Sequence, residues 1–169
     1  MIGGPRKRAE QNLAYSPRVA SGVIFLPKTS FLKNVPAKSK RDLESGDRVE
    51  VFFSSTPDLS LWYHCAEIDP RGRVLDYRVR YPRQFDYGWS FRTLECRAER
   101  TAKGYRVEGS VALSELRELG VNPNQFWLGA FRADYDERGN LVAWCSLLPP
   151  GPGMADFHRP CMLFKASWQ

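Results

Sequence analysis

From Gly46 onward the chain is cut into short alternating runs separated by tight-turn sequences, a pattern that leaves room for little but antiparallel β-structure. Asp47 to Ser54, Leu61 to Ile68, Arg73 to Arg80, Trp89 to Arg97, Gly104 to Ala112, Phe126 to Tyr135, Asn140 to Leu147 and Met162 to Ser167 read as strands. Asp69-Pro70-Arg71-Gly72, Thr101-Ala102-Lys103-Gly104 and Asp136-Glu137-Arg138-Gly139 read as the turns between them. In the first of these, proline presets one dihedral and glycine closes the bend. Only Leu113 to Leu119, LSELREL, has a helical pattern, with Ser114 as its N-cap and Gly120 as its stop. The succession predicts an all-β, antiparallel β-sandwich with one short helix.

A sandwich needs an apolar face on each strand to fill about 10 Å between its sheets. Tyr105, Val107, Gly109 and Val111 oppose Arg106, Glu108 and Ser110, while Leu75, Tyr77, Val79 and Tyr81 oppose Asp76, Arg78 and Arg80. The run Gly46 to Ser55, GDRVEVFFSS, is less simple. Val49, Val51 and Phe53 share one face, and the other carries Arg48, Glu50 and an aromatic ring, Phe52. The outward surface is therefore mixed: Glu50 and Phe52 on one strand, Trp62 with His64 or Tyr63 with Glu67 on the next, and Arg132 with Asp134 further along. Carboxylates and guanidiniums bind vicinal hydroxyls bidentately, and rings cover the apolar C–H face of a pyranose, so this mixture points to a sugar site.

A net charge of +6 invites a nucleic-acid reading, but the charge is unevenly placed. Residues 1 to 43 hold nine Lys/Arg against two Asp/Glu, which leaves sixteen basic and seventeen acidic residues for the rest. Phosphate tracking by the folded surface loses its support, and no nucleic-acid partner is expected. The basic segment has prolines at 5, 17, 27 and 36, no helical period and one short apolar run, Gly22 to Leu26. It is predicted to be an extended or disordered arm contributing little to the core, with the sandwich domain at 44–169. No signal-peptide pattern and no apolar stretch of membrane-spanning length is seen, so neither export by this segment nor a membrane partner is expected, and the compartment stays open. Cys65, Cys96, Cys145 and Cys161 are well separated and read as free thiols, and His64 and His158 stand alone without the ligand spacing of a zinc site.

The runs GDRVEVFF, YHCAEIDPRGRVLDYRVRY, GYRVEGSVALSEL, FWLGAFRADY and AWCSLLPPGPGMADFHRP stand in this order between about residues 44 and 165. Together they resemble the family 9 carbohydrate-binding modules, a group related to the DOMON-like sandwiches. The family pattern runs D-x-VE-hydrophobic-F, a turn of Asn/Asp-Gly type, GW or GY-x-VE, F-x-R-x-D and a late W-S…F-H-x-P. The resemblance implies a β-sandwich that binds oligosaccharides or polysaccharides of the xylan or cello-oligosaccharide kind without catalysis. It also implies association with a glycoside hydrolase and carbohydrate catabolism, and structural calcium in some members. The family's opening strands find no match here, where the basic arm stands instead, so this relative is expected to lack part of a sheet or to begin elsewhere.

Sugar-binding members clamp a sugar between two tryptophans, whose positions fall here near Leu43 or Glu44 and at Phe157, so half of that clamp is missing. Carbohydrate contacts are expected from Glu50, His64, Trp144 and Phe157 by the resemblance, from Arg132 and Asp134 on the mixed face, and from His158 in the exposed loop, with Phe157 as an aromatic wall and Glu50 as the hydrogen-bonding floor. Three other readings remain. One is an interaction or structural module that has lost the sugar. Another is a glycosidase, for which Glu50, Glu67, Asp76 and Asp134 are carboxylates without a visible shared cleft. The last is a haem sandwich, for which Met154, His158 and His64 are the available ligands.

Overall fold

The structure is a computed structural model, and it describes residues 15–16, 19–27, 39–102, 104–149 and 156–167, the first two segments by backbone. Eleven strands and one α-helix follow one another among the described residues: β1 (Tyr15–Ser16), β2 (Val19–Pro27), β3 (Arg48–Ser54), β4 (Tyr63–Ile68), β5 (Val74–Arg80), β6 (Gln84–Asp86), β7 (Glu95–Thr101), β8 (Gly104–Ala112), α1 (Leu113–Glu118), β9 (Phe126–Tyr135), β10 (Leu141–Ser146) and β11 (Phe164–Ala166). They form a small sheet of order β1-β2-β8-β7 and a large one of order β10-β9-β3-β4-β5-β6, with β11 sharing an edge of β9. Every pairing is antiparallel. The expected all-β sandwich is present. No helix among the described residues is long and apolar enough to cross a membrane.

Local chemistry explains the connections. Gly72 has φ +79°, and its N–H donates to the Asp69 carbonyl at 2.9 Å. The Asp69 carboxylate then accepts from the amides of Arg71 and Arg73 and from Arg73 Nε, so the turn between β4 and β5 is closed from both sides. Helix α1 ends on Gly120, φ +81°, where Val121 N–H reaches Leu116 O and Gly120 N–H reaches Arg117 O, the paired bonds of a Schellman stop. Its N-cap is Ala112 rather than Ser114, and the cap does not bond through a side chain. The buried Glu115 carboxylate accepts the amides of Arg92 and Thr93 and so holds that loop against the helix.

Three expectations are revised. The run Trp89 to Arg97 splits, because Asp76 accepts the Phe91 amide at 2.8 Å and Glu115 takes the next two, leaving a strand only from Glu95. Met162 belongs to a 3-10 turn, Pro160–Met162, and the last strand is shorter than expected. Within the basic segment, β2 pairs with β8 over nine residues, Val19 opposite Ala112 through Pro27 opposite Gly104. The apolar run Gly22 to Leu26 lies inside it. That run therefore adds a strand to the small sheet instead of standing apart from it. The boundary at 43/44 falls within a 3-10 turn, Lys40–Ser45, whose Leu43 is buried and whose Lys40 Nζ lies 2.5 Å from Asp76 Oδ1.

The large sheet is covered on both faces, which resolves the mixed strand GDRVEVFFSS. Val49, Ala66, Ile68 and Phe126 face the small sheet and α1, packing on Tyr105, Val107, Val111, Leu113 and Leu116. The other face carries Phe52, Tyr63, Cys65, Leu75, Tyr77, Val79 and Phe131, covered by Leu43 from the 3-10 turn and by Phe157, Met162 and Leu163 from the C-terminal segment. Both faces of β3 are thus interior, and Phe52 is a core residue.

Candidate functional site

The strand registers sort the sequence-predicted residues onto two faces. Glu50 stands opposite Glu67 on one side and Phe131 on the other, so it lies on the face covered by the C-terminal segment. Trp144, Phe157 and His158 join it there. His64 and Arg132 lie on the opposite face, paired with Arg78 and Val49, and Asp134 follows Arg132 on the same side of β9. Arg132 Nη2 holds Asp134 Oδ2 at 2.8 Å. The seven residues do not converge on one site.

The group around Glu50 is closed. Phe157 is 4% exposed, stacked on Phe131 at 4.3 Å and 12° and packed on Trp144 at 4.4 Å. His158 lies over Phe52 at 4.7 Å, its Nδ1 2.8 Å from Tyr63 OH and its Nε2 3.3 Å from Tyr77 OH. Tyr77 OH donates to Glu67 Oε1 at 2.7 Å, and Arg48 Nε lies 2.6 Å from Glu67 Oε2 and 2.9 Å from Glu50 Oε1. An unbroken line of polar contacts runs from Tyr63 to Glu50 beneath the C-terminal segment. The expected wall and floor, Phe157 and Glu50, are therefore interior, because the far end of the chain folds back over the face that alternation presented as outward.

One guanidinium cannot neutralise two buried carboxylates, so this cluster retains a proton. Burial, and then the Glu67 carboxylate, push Glu50 up to about 8 against the pull of Arg48. Burial raises Glu67 as well. Burial alone would lower Arg48, but Glu50 and Glu67 outweigh it and hold the guanidinium above its ordinary range. His64 and His158 are both brought down to about 4, chiefly by burial, and are neutral at physiological pH.

These shifts set the sign of a pH dependence. A carboxyl raised above its unfolded value of about 4.3 stabilises the fold at low pH, and that contribution is lost as pH rises through the folded value. The depressed histidines do the reverse: their contribution is present above about 6.5 and lost as pH falls toward the folded value. Between about pH 6.5 and about pH 8 only the carboxyls act, so stability measured by urea denaturation should fall across this interval. Glu50→Gln should flatten that decline, and a profile unchanged by the substitution would remove Glu50 as its source.

On the opposite face an open group remains where the core between the sheets ends. Two residue rows cross β4, β5 and β6: His64, Arg78 and Asp86 in one, and Arg80 with Gln84 in the next. Trp62, one residue before β4, lies half-buried at the end of the second row, with the guanidinium carbons of Arg78 and Arg80 at 4.7 and 5.1 Å from its ring centroid. Trp89, also half-buried, lies 4.8 Å from the His64 ring. Arg78 Nε donates to Asp86 Oδ2 at 2.8 Å. Arg80 and Tyr81 are exposed beside it. His64 is 3% exposed and its Nδ1 has no hydrogen-bond partner. Two half-buried tryptophans and two guanidiniums thus lie at one end of the large sheet, over a buried imidazole.

Sequence reasoning reached His64 and noted Trp62, Arg78 and Arg80 as outward residues, but it did not unite them. The signal was their common parity, which becomes a site only once β4 and β5 are in register.

No group of three or more His, Cys, Asp or Glu side chains that could hold a metal comes together among the described residues. The turn carboxylates Asp69 and Asp136 are already engaged by amide, guanidinium and carboxamide donors, so the calcium implied by the resemblance finds no matching donor set there. For the haem reading, His64 and His158 lie on opposite faces and cannot share an iron, and Met154 is outside the described residues. The four cysteines are free, with Cys65 buried and Cys161 exposed.

No family model matches the sequence, and no curated protein matches it either. Solved structures do. A protein from Bacteroides uniformis, assigned provisionally to carbohydrate binding, superposes with a TM-score of 0.60 at 13% identity over 89% of this chain and 78% of that one. A family 9 carbohydrate-binding module from Caldicellulosiruptor kristjanssonii, solved in complex with glucose, superposes with a TM-score of 0.50 at 17% identity over 98% of this chain and 88% of that one. With β2 in the small sheet and two cores about the large one, the chain has the β-sandwich fold of the family 9 carbohydrate-binding modules.

Proposed function

We propose that the chain is a noncatalytic carbohydrate-binding module whose glycan site is the open platform of Trp62, Arg78, Arg80 and Trp89 over His64. The observation that carries this reading is the half-exposed Trp62 ring with two guanidiniums beside it. A tryptophan face packs on the C–H surface of a pyranose, and guanidinium forks donate to its ring hydroxyls, so apolar and polar sides of a sugar are met together. The two structural neighbours, one described as carbohydrate-binding and one solved with glucose, support the same class of ligand. Xylan- or cello-oligosaccharide-like chains fit an open platform, since a polymer can run past it without an end to be enclosed. A module of this kind works beside a glycoside hydrolase, delivering it to polysaccharide.

Glu50 and Glu67 do not make a hydrolase site: they lie side by side on paired strands, both enclosed, and share one guanidinium. A glycosidase needs two carboxyls flanking a substrate in an open cleft. The closure of that face favours one second reading, an interaction or structural module that kept the fold after losing a sugar site there.

Calorimetry with xylo- and cello-oligosaccharides separates the two. Trp62→Ala should weaken binding about tenfold or more, the scale of a lost aromatic anchor. Its melting temperature should stay near that of the parent, because the ring is half-exposed. Absence of binding to any oligosaccharide would favour the second reading, and release of reducing sugar would overturn both.

A further inference from the structure

The free charged groups on the rim of the Trp62 platform are guanidinium donors. Of the two rows that form it, Asp86 is the one carboxylate, and both its oxygens are engaged: Oδ2 by Arg78 Nε at 2.8 Å and Oδ1 by the Gly88 amide at 3.1 Å. Arg80 is exposed, lies 5.1 Å from the Trp62 ring and has no carboxylate partner among the described residues. Arg78 presents its remaining N–H groups, since Asp86 takes only Nε. The nearest other cation on this hairpin, Arg83, is satisfied by Asp156 at 2.6 Å. A neutral sugar hydroxyl both donates and accepts, and in these rows its proton would fall to the Gln84 amide or to a carboxylate already engaged. A carboxylate only accepts, and its two oxygens fit the fork of a guanidinium.

We propose that this platform selects a glycan bearing a carboxylate, a uronic-acid residue whose ring packs on Trp62 and whose carboxylate pairs with the free guanidinium of Arg80, with Arg78 as a second donor. The proposal rests on the reading of the platform as the glycan site. Arg80 is then a specificity residue: it adds nothing to the core, and it distinguishes an acidic sugar from a neutral one of the same shape. Binding through it weakens with salt, because the pair forms at the surface.

The test uses one xylo-oligosaccharide carrying a glucuronic-acid branch and its carboxyl-reduced counterpart, which differs only in the charged group, titrated calorimetrically into the full chain. The acidic form is expected to bind about tenfold or more tightly than the reduced form at low salt. Arg80→Gln should weaken the acidic form about tenfold more than the reduced form, so that the two bind alike, and Trp62→Ala should weaken both. Equal affinity for the two sugars, still dependent on Trp62, would overturn the proposal and leave the glycan reading standing. A preference that survives Arg80→Gln would overturn the role of Arg80. Binding of neither sugar would overturn the platform as a glycan site and the proposal with it.

Discussion

Truncating Phe157 to alanine is expected to destabilise the protein by about 3–5 kcal/mol, the cost of deleting a large ring from a closed core. Phe157 lies on the covered face of the large sheet, stacked on Phe131 at 4.3 Å and against Trp144 at 4.4 Å. Both neighbours are held by paired strands, Phe131 on β9 and Trp144 on β10, so the site cannot collapse to fill the space. A domain of this size has a total stability of about 5–15 kcal/mol, which leaves the variant marginal. Urea denaturation would show a lower midpoint with an unchanged slope. A variant as stable as the parent that no longer binds sugar would return Phe157 to the exposed wall expected from the sequence.

Arg48→Met is expected to cost a similar amount, about 3–5 kcal/mol, by leaving the charged member of an enclosed carboxyl pair without its cation. Arg48 Nε lies within 3 Å of both Glu50 and Glu67 (2.9 and 2.6 Å), and its Nη1 donates to Glu44 O at 2.9 Å. Methionine fills much of the same volume but offers none of these contacts. The remaining carboxyls would be neutral in the folded protein to still higher pH, so their contribution to stability is present at low pH and lost as pH rises. The variant should therefore recover on acidification, and adding Glu50→Gln and Glu67→Gln should restore much of the loss. Equal destabilisation at all pH values would show that Arg48 acts through packing alone.

The alternation of β3, β5, β8 and β9 was legible in the sequence, and with it the sandwich, the turns at Asp69 and Asp136 and the helix stop at Gly120. Each rests on local chemistry: a period of two, an Asx-type turn, a glycine at positive φ. The strand role of Val19–Pro27 was less legible, because its apolar run is embedded in a basic, proline-containing stretch whose composition argues for an arm. The site was legible by residue type and not by place. Glu50, His64, Trp62, Arg78 and Arg80 could each be named, but parity alone does not say which side of a strand meets which layer.

By itself the sequence determined most of the strands from β3 onward, their antiparallel order and the two-sided character of β3, since these follow from residue spacing along a single strand. Tertiary structure decided which end of the large sheet is left uncovered. The C-terminal segment and the 3-10 turn at Lys40–Ser45 lie far apart in the chain, yet both cover the face of Glu50 and turn it into a second core. The registers of β4, β5 and β6 set His64, Arg78 and Asp86 in one row and leave Arg80 beside Trp62 at the uncovered end. Burial is a property of what packs against a residue, and that depends on long-range pairing which no local pattern encodes.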